Sequence, residues 1–109
     1  MTSADDPNTP LLHLVTPEAW AEAQIIGQVE PASLVDVGFV HLCHPEQLDG
    51  VIERHYLDLP ELLVLTVDRD RLVDELRWEE SHPGDWFPHL YGPLPVAAVT
   101  ATADLSDVL

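Results

Sequence analysis

The sequence predicts one small α+β domain, with two helices in its first half packed on a small mixed β-sheet. Three observations predict it. The chain has 109 residues, the size of one domain. Helical apolar spacing is confined to the first half, whereas short apolar runs of strand length continue to the C-terminus. No repeat, linker or change of composition marks a second domain within residues 11–109.

The elements follow in order. Residues 1–10 are polar, carry two prolines, and read as a disordered lead. Leu11 to Val15 reads as a strand interrupted only by His13. Thr16-Pro17-Glu18 then starts a helix: Thr16 can cap, Pro17 suits the first turn, and Glu18 favours the positive end of the dipole. Ala19, Trp20, Ala23 and Ile26 form its stripe, and Gly27 stops it. Val29 to Asp36, with Pro31 and Ser33, reads as a loop. Val37 to Leu42 reads as a second strand, with Val37, Phe39 and His41 on one face. His44-Pro45-Glu46 opens a second helix, with Leu48, Val51, Ile52, His55 and Tyr56 along one side. Leu62 to Val67, apolar except at Thr66 and rich in branched residues, reads as a central strand covered on both faces. Leu76 to Glu79 reads as a short strand with Leu76 and Trp78 inward. Ser81 to Leu94 reads as a long aromatic loop with Pro83, Pro88 and Pro93. Val96 to Ala103 closes the domain as a strand with Val99 and Ala101 inward.

Composition narrows the function. Twenty acidic residues face four arginines and no lysine, for a net charge of −16. That field repels phosphate backbones and anionic membranes, so nucleic acid and membrane are not the expected partners. A small-molecule ligand is, because a pocket can be locally positive. Met1 to Pro10 has neither the positive charge nor the apolar stretch of a signal peptide. With a single cysteine, Cys43, the expected compartment is the cytoplasm.

Six histidines are many for this length. His13, His41 and His89 stand among apolar neighbours, where an imidazole needs a hydrogen-bond partner. Each can be a satisfied core residue, or the three can converge on one pocket as acid–base groups. The stretch Trp86-Phe87-Pro88-His89-Leu90-Tyr91-Gly92-Pro93 is suited to a pocket wall, or to a lid over the core. Cys43 reads as a small buried residue rather than a nucleophile. His41 and His44, with His13 or His89, lack the ligand spacing of a zinc motif, and no metal is expected. No phosphate-binding glycine loop or serine elbow is present.

Leu12-His13-Leu14, Ser33-Leu34, Gly38-Phe39-Val40-His41, Glu46-Gln47, Arg54, Arg77-Trp78-Glu79 and Phe87-Pro88-His89-Leu90-Tyr91-Gly92-Pro93-Leu94 resemble the bacterial "domain of unknown function 952" family. The likeness covers about residues 11–103. That family has been grouped with the ADP-ribosyltransferase-like superfamily and the RNA 2′-phosphotransferases. The resemblance therefore implies a small split sheet and, as substrate rather than bound cofactor, NAD or an ADP-ribosylated group. It implies that His13 contacts the ribose side of a dinucleotide. His41 is then the second-motif histidine, and His89 and Tyr91 form a third wall. Trp86, Arg54, Arg77 and Ser33 are the candidate dinucleotide contacts, with Arg54 or Arg77 reaching a phosphate. The late glutamate of such folds corresponds to Glu79. Leu42-Cys43-His44 departs from the Cys-Ser-Thr-like run that follows the histidine in the family.

Four functions remain open on the sequence. The first is an NAD- or ADP-ribose-utilising transferase or hydrolase. The second is a non-catalytic module that binds a small metabolite. The third is a small hydrolase or isomerase that uses the histidines directly, and the fourth a domain whose histidines are all structural.

Overall fold

Residues 10–55 and 61–108 are described by the computed structural model. The expected lead over residues 1–9 and Tyr56 lie outside them. Strand β1 (Leu11–Val15) is buried along its whole length. It pairs antiparallel with β4 (Leu63–Val67), whose other edge pairs with β8 (Val99–Asp104). Alternation sends Leu11, Val15, Leu65 and Val67 into the larger apolar cluster on one face. Leu12, Leu14 and Val64 enter a second cluster on the opposite face. The segment 63–67, apolar but for Thr66, is thus a central strand with both faces covered.

Helix α1 (Pro17–Ile26) starts where its residues dictate. The Thr16 hydroxyl accepts from the Ala19 amide at 3.1 Å, and Pro17 occupies the first turn. Gly27, at φ 94°, ends it by donating to the Ala23 carbonyl at 2.7 Å. The chain continues into β2 (Gln28–Val29), which pairs with β7 (Leu94–Pro95).

Several expectations are corrected here. The segment read as a loop at 29–36 contains a second helix, α2 (Ala32–Asp36). Helix α3 (Leu48–His55) follows a 3-10 turn at Pro45–Gln47, and α4 (Leu105–Val108) comes last. The described residues therefore hold four helices rather than two. The expected strand at 37–42 shrinks to β3 (Val40–His41), because Gly38, in the left-handed region at φ 87°, turns the chain first. Among the described residues the ladders are all antiparallel, so the sheets are not mixed. Ala101 is exposed rather than inward, because β8 is an edge strand.

The largest correction concerns the aromatic loop. Its first half is strand: β5 (Leu76–His82) turns through Gly84 into β6 (Asp85–Leu90), which lies between β5 and β3. A proline in a central strand removes one ladder donor. Continuing the register Val40↔Leu90 and His41↔His89 sets Leu42 opposite Pro88. The Leu42 amide donates to the Pro88 carbonyl at 3.1 Å, and Pro88 has no amide to return. Pairing with β6 ends there. The next residue, Cys43, exchanges two backbone hydrogen bonds with Leu12 instead, at 2.8 and 2.9 Å. This bridge joins the β3–β6–β5 sheet to the β1–β4–β8 sheet.

Candidate functional site

The alternation of the β3–β6–β5 sheet builds the site. Val40, Leu42, Leu76, Trp78 and Leu90 join the larger core. The intervening residues, Phe39, His41, Arg77, Glu79, His89 and Tyr91, therefore share the other face. Register brings them together: His41 and Arg77 lie on either side of His89, and the Tyr91 amide donates to the Glu75 carbonyl at 2.8 Å.

Glu79 is the centre of this face. One of its oxygens, Oε1, accepts from the Tyr91 hydroxyl at 2.6 Å and from His89 Nδ1 at 2.8 Å. These two donors, Tyr91 first, hold its carboxyl below the usual range. The same hydrogen bond raises the Tyr91 phenol. Glu79 is thus an ionised carboxylate at neutral pH, and its side chain is 37% exposed. His89 is only 4% exposed. Phe39 stacks on it with ring centroids 4.0 Å apart, and the His41 ring meets it edge-on at 5.3 Å. Because Nδ1 faces a carboxylate, it carries the proton, and the buried Nε2 has no partner. The Arg77 guanidinium lies 4.6 Å over the Tyr91 ring and pairs with Glu75 at 2.8 Å.

His41, His89, Tyr91 and Arg77 are thus gathered, and His13 is tied to them indirectly. Its Nδ1 donates to the His41 backbone carbonyl at 2.7 Å. That carbonyl lies on the edge of β3 turned away from β6, so the imidazole staples the two sheets. Burial lowers the His13 pKa to about 4, against the opposing effect of its hydrogen bond to the His41 carbonyl, and its ring is neutral. His13 lines a hollow of about 270 Å³ beneath α1, and His41 and His89 do not. The hollow that His13 lines is thus a different place from the face beside residues 86–91.

The other three candidates lie elsewhere. Trp86 stands half exposed in the alternate register of β6, and its carbonyl accepts from Gln47 at 2.8 Å. Arg54 reaches Asp85 at 3.8 Å and the Phe87 ring at 5.7 Å, toward the turn end of the hairpin. Ser33 lies in α2, where its backbone carbonyl accepts from the Val37 and Gly38 amides. Cys43 is buried, with its thiol pushed up to about 12 by desolvation, so it is no ready nucleophile. His44 is also structural: its Nε2 accepts from the Trp78 indole at 3.1 Å. Among the described residues, no three histidine, cysteine or acidic side chains converge in a way that would hold a metal.

The model of the family described as "Protein of unknown function (DUF952)" matches residues 14–102. The chain belongs to the DUF952 family. Two solved structures of a similar protein, CC0527 from Caulobacter crescentus, support the fold. The X-ray structure is 34% identical, with a TM-score of 0.81 over 88% of this DUF952 chain and 85% of that one. The solution NMR structure is also 34% identical, with a TM-score of 0.75 over 88% and 84% of the two chains. No curated protein matched. Among the described residues, no helix is long and apolar enough to cross a membrane.

Phe39 is the site residue that sequence reasoning did not single out for function. Glu79 was reached only through the family likeness. A direct signal existed for both. Once 85–90 is a strand, Phe87, His89 and Tyr91 alternate onto one face, and pairing places Arg77 and Glu79 beside them.

Proposed function

We propose that this DUF952 chain binds a small ligand on the Phe39–His41–Tyr91 face and acts on it through Glu79. The carrying observation is a half-exposed carboxylate kept ionised by two hydrogen bonds to one oxygen. Such a group is a poor proton donor and a good partner for positive charge that develops in a transition state. The ADP-ribosyl reading asks for that role. In NAD, the bond between the nicotinamide nitrogen and ribose C1′ breaks, and its electron pair leaves with neutral nicotinamide. C1′ becomes cationic until water or another acceptor bonds to it. Glu79 steadies that cation, while His89 and Tyr91 act as positioning residues. The aromatic rings offer stacking surface to a base, and Arg77 is the nearest cation for a phosphate. His41 is at the exposed edge of the face.

The second reading is a non-catalytic binding module. It is favoured by the closure of His89 under Phe39, which leaves the imidazole bonded to Glu79 out of reach. One experiment separates the two. The chain is mixed with NAD while nicotinamide release and thermal stability are followed together, in wild type and Glu79→Gln. Saturating ligand at 100 times its dissociation constant adds about 2.7 kcal/mol. In the catalytic reading, Glu79→Gln still binds but releases nicotinamide roughly 100-fold more slowly. Binding without release in wild type supports the module. With neither, NAD is not the ligand.

A further inference from the structure

The hollow beneath α1 has chemistry unlike that of the Glu79 face. It is bounded by β1, α1 and the segment from Gln28 to Pro31. Val15, Ala23, Val29 and Leu62 give it apolar walls. Glu22 and Glu30 also line it, and no lysine or arginine does. Gln28 donates to one Glu30 oxygen at 2.8 Å and so holds that carboxylate in place. His13 belongs to the wall as well, and is 5% exposed.

The state of His13 decides what the hollow suits. Nδ1 lies 2.7 Å from the His41 carbonyl oxygen, which can only accept. Nδ1 therefore carries the ring's proton, and Nε2 presents a lone pair. That Nε2 is buried and has no partner. A buried acceptor without a donor is costly, and polar atoms left this way call for an explanation. A donor group lodged in the hollow supplies one. An anion does not, because it would meet a lone pair and two carboxylates.

We propose that the hollow is a binding site for a small organic ammonium ion. Its apolar body packs between Val15, Ala23, Val29 and Leu62. An N–H donates to His13 Nε2, and its positive charge is answered by Glu22 and Glu30. The net charge of −16 draws cations to the whole surface. The low pKa of His13 agrees, since the ring stays an acceptor at neutral pH. This site is independent of the Glu79 reading, and neither requires the other.

The test is an NMR titration of the full chain at neutral pH with benzylammonium, alongside benzoate and benzyl alcohol. Backbone amides of Val15, Ala19 and Ala23 and the His13 Nε2 resonance report the hollow. The expected result is saturable shifts there with benzylammonium, and binding roughly tenfold or more weaker with benzoate, whose charge faces the carboxylates. His13→Phe keeps the ring volume and removes the acceptor, and should weaken benzylammonium binding roughly tenfold. Ala19→Leu, at an exposed helix position, fills the hollow and should abolish the shifts even if His13→Phe fails to fold. The proposal is overturned if benzoate binds as well as benzylammonium, or if neither shifts the hollow resonances at millimolar concentration. It also falls if a folded His13→Phe, or Ala19→Leu, binds undiminished.

Discussion

In the β1–β4–β8 sheet, successive residues of the first two strands run into apolar clusters on both faces. In the β3–β6–β5 sheet, one face joins the larger cluster, whereas the other enters the second cluster at Phe87 and otherwise carries Glu79, His89, Tyr91 and Arg77. Both sheets follow the same two-residue alternation. What differs is the cover. A strand with cover on both faces is apolar nearly throughout, and holds a titratable group where one is tied down, as His13 Nδ1 is to the His41 carbonyl. A strand with one open face can place titratable groups side by side, and register then assembles them.

That contrast can be broken by substitution, beginning where the effect is greatest. Leu65 is 0% exposed in the central strand. Leu65→Ala should lower stability by about 2–5 kcal/mol, through lost burial and the cavity left behind, measured by urea unfolding. Glu79→Gln on the open face should instead change ligand handling first.

The second test uses pH. His13 titrates at about 4 in the fold against 6.5 ordinarily. Between those values the unfolded chain takes up a proton that the folded chain refuses. Stability should therefore fall as pH drops through 6.5, with the full loss of about 3 kcal/mol reached near pH 4. Urea midpoints at pH 7 and pH 4.5 should differ less in His13→Phe than in wild type. Glu79, whose folded pKa is depressed, contributes stability that is present above the ordinary carboxylate range. That contribution is lost at still lower pH, so Glu79→Gln should flatten the acid end of the profile alone.

The smallest effect sharpens the role of cover within one sheet. Thr102 is the cross-strand neighbour of Leu65, yet it is exposed on the edge strand. Thr102→Ala should change stability by no more than about 0.5 kcal/mol in the same unfolding experiment.

The parts of this fold that were legible in the sequence are those where local rules and tertiary packing agree. Thr16, Pro17 and Gly27 delimit α1 as their capping chemistry requires, and the branched run at 63–67 is central. The parts that were not legible are those where packing overrides local signals. Pro88 reads as a strand breaker, yet in the register its missing amide falls opposite Leu42, just where β3 ends, so β6 tolerates it. Pro31 and Ser33 read as loop residues, yet the chain winds one short helix there. The site was partly visible for the same reason. His41, His89 and Tyr91 stood out as residue types, whereas the meeting of His89 and Tyr91 on Glu79 depended on a hairpin that the prolines concealed. His13 was visible too, but its tie to a backbone carbonyl rather than to the other imidazoles is a matter of which sheet edge it meets.

The Leu12–Cys43 bridge gives the molecule a joint. Two reciprocal amide hydrogen bonds there, with the His13 ring clasping the neighbouring carbonyl, span the gap between one sheet and the next. Parting that joint would uncover the hollow's imidazole and displace His41 in the same movement. Slow amide exchange at Cys43 would therefore report on the hollow and the Glu79 face at once, and a molecule bound at either would be felt across the seam.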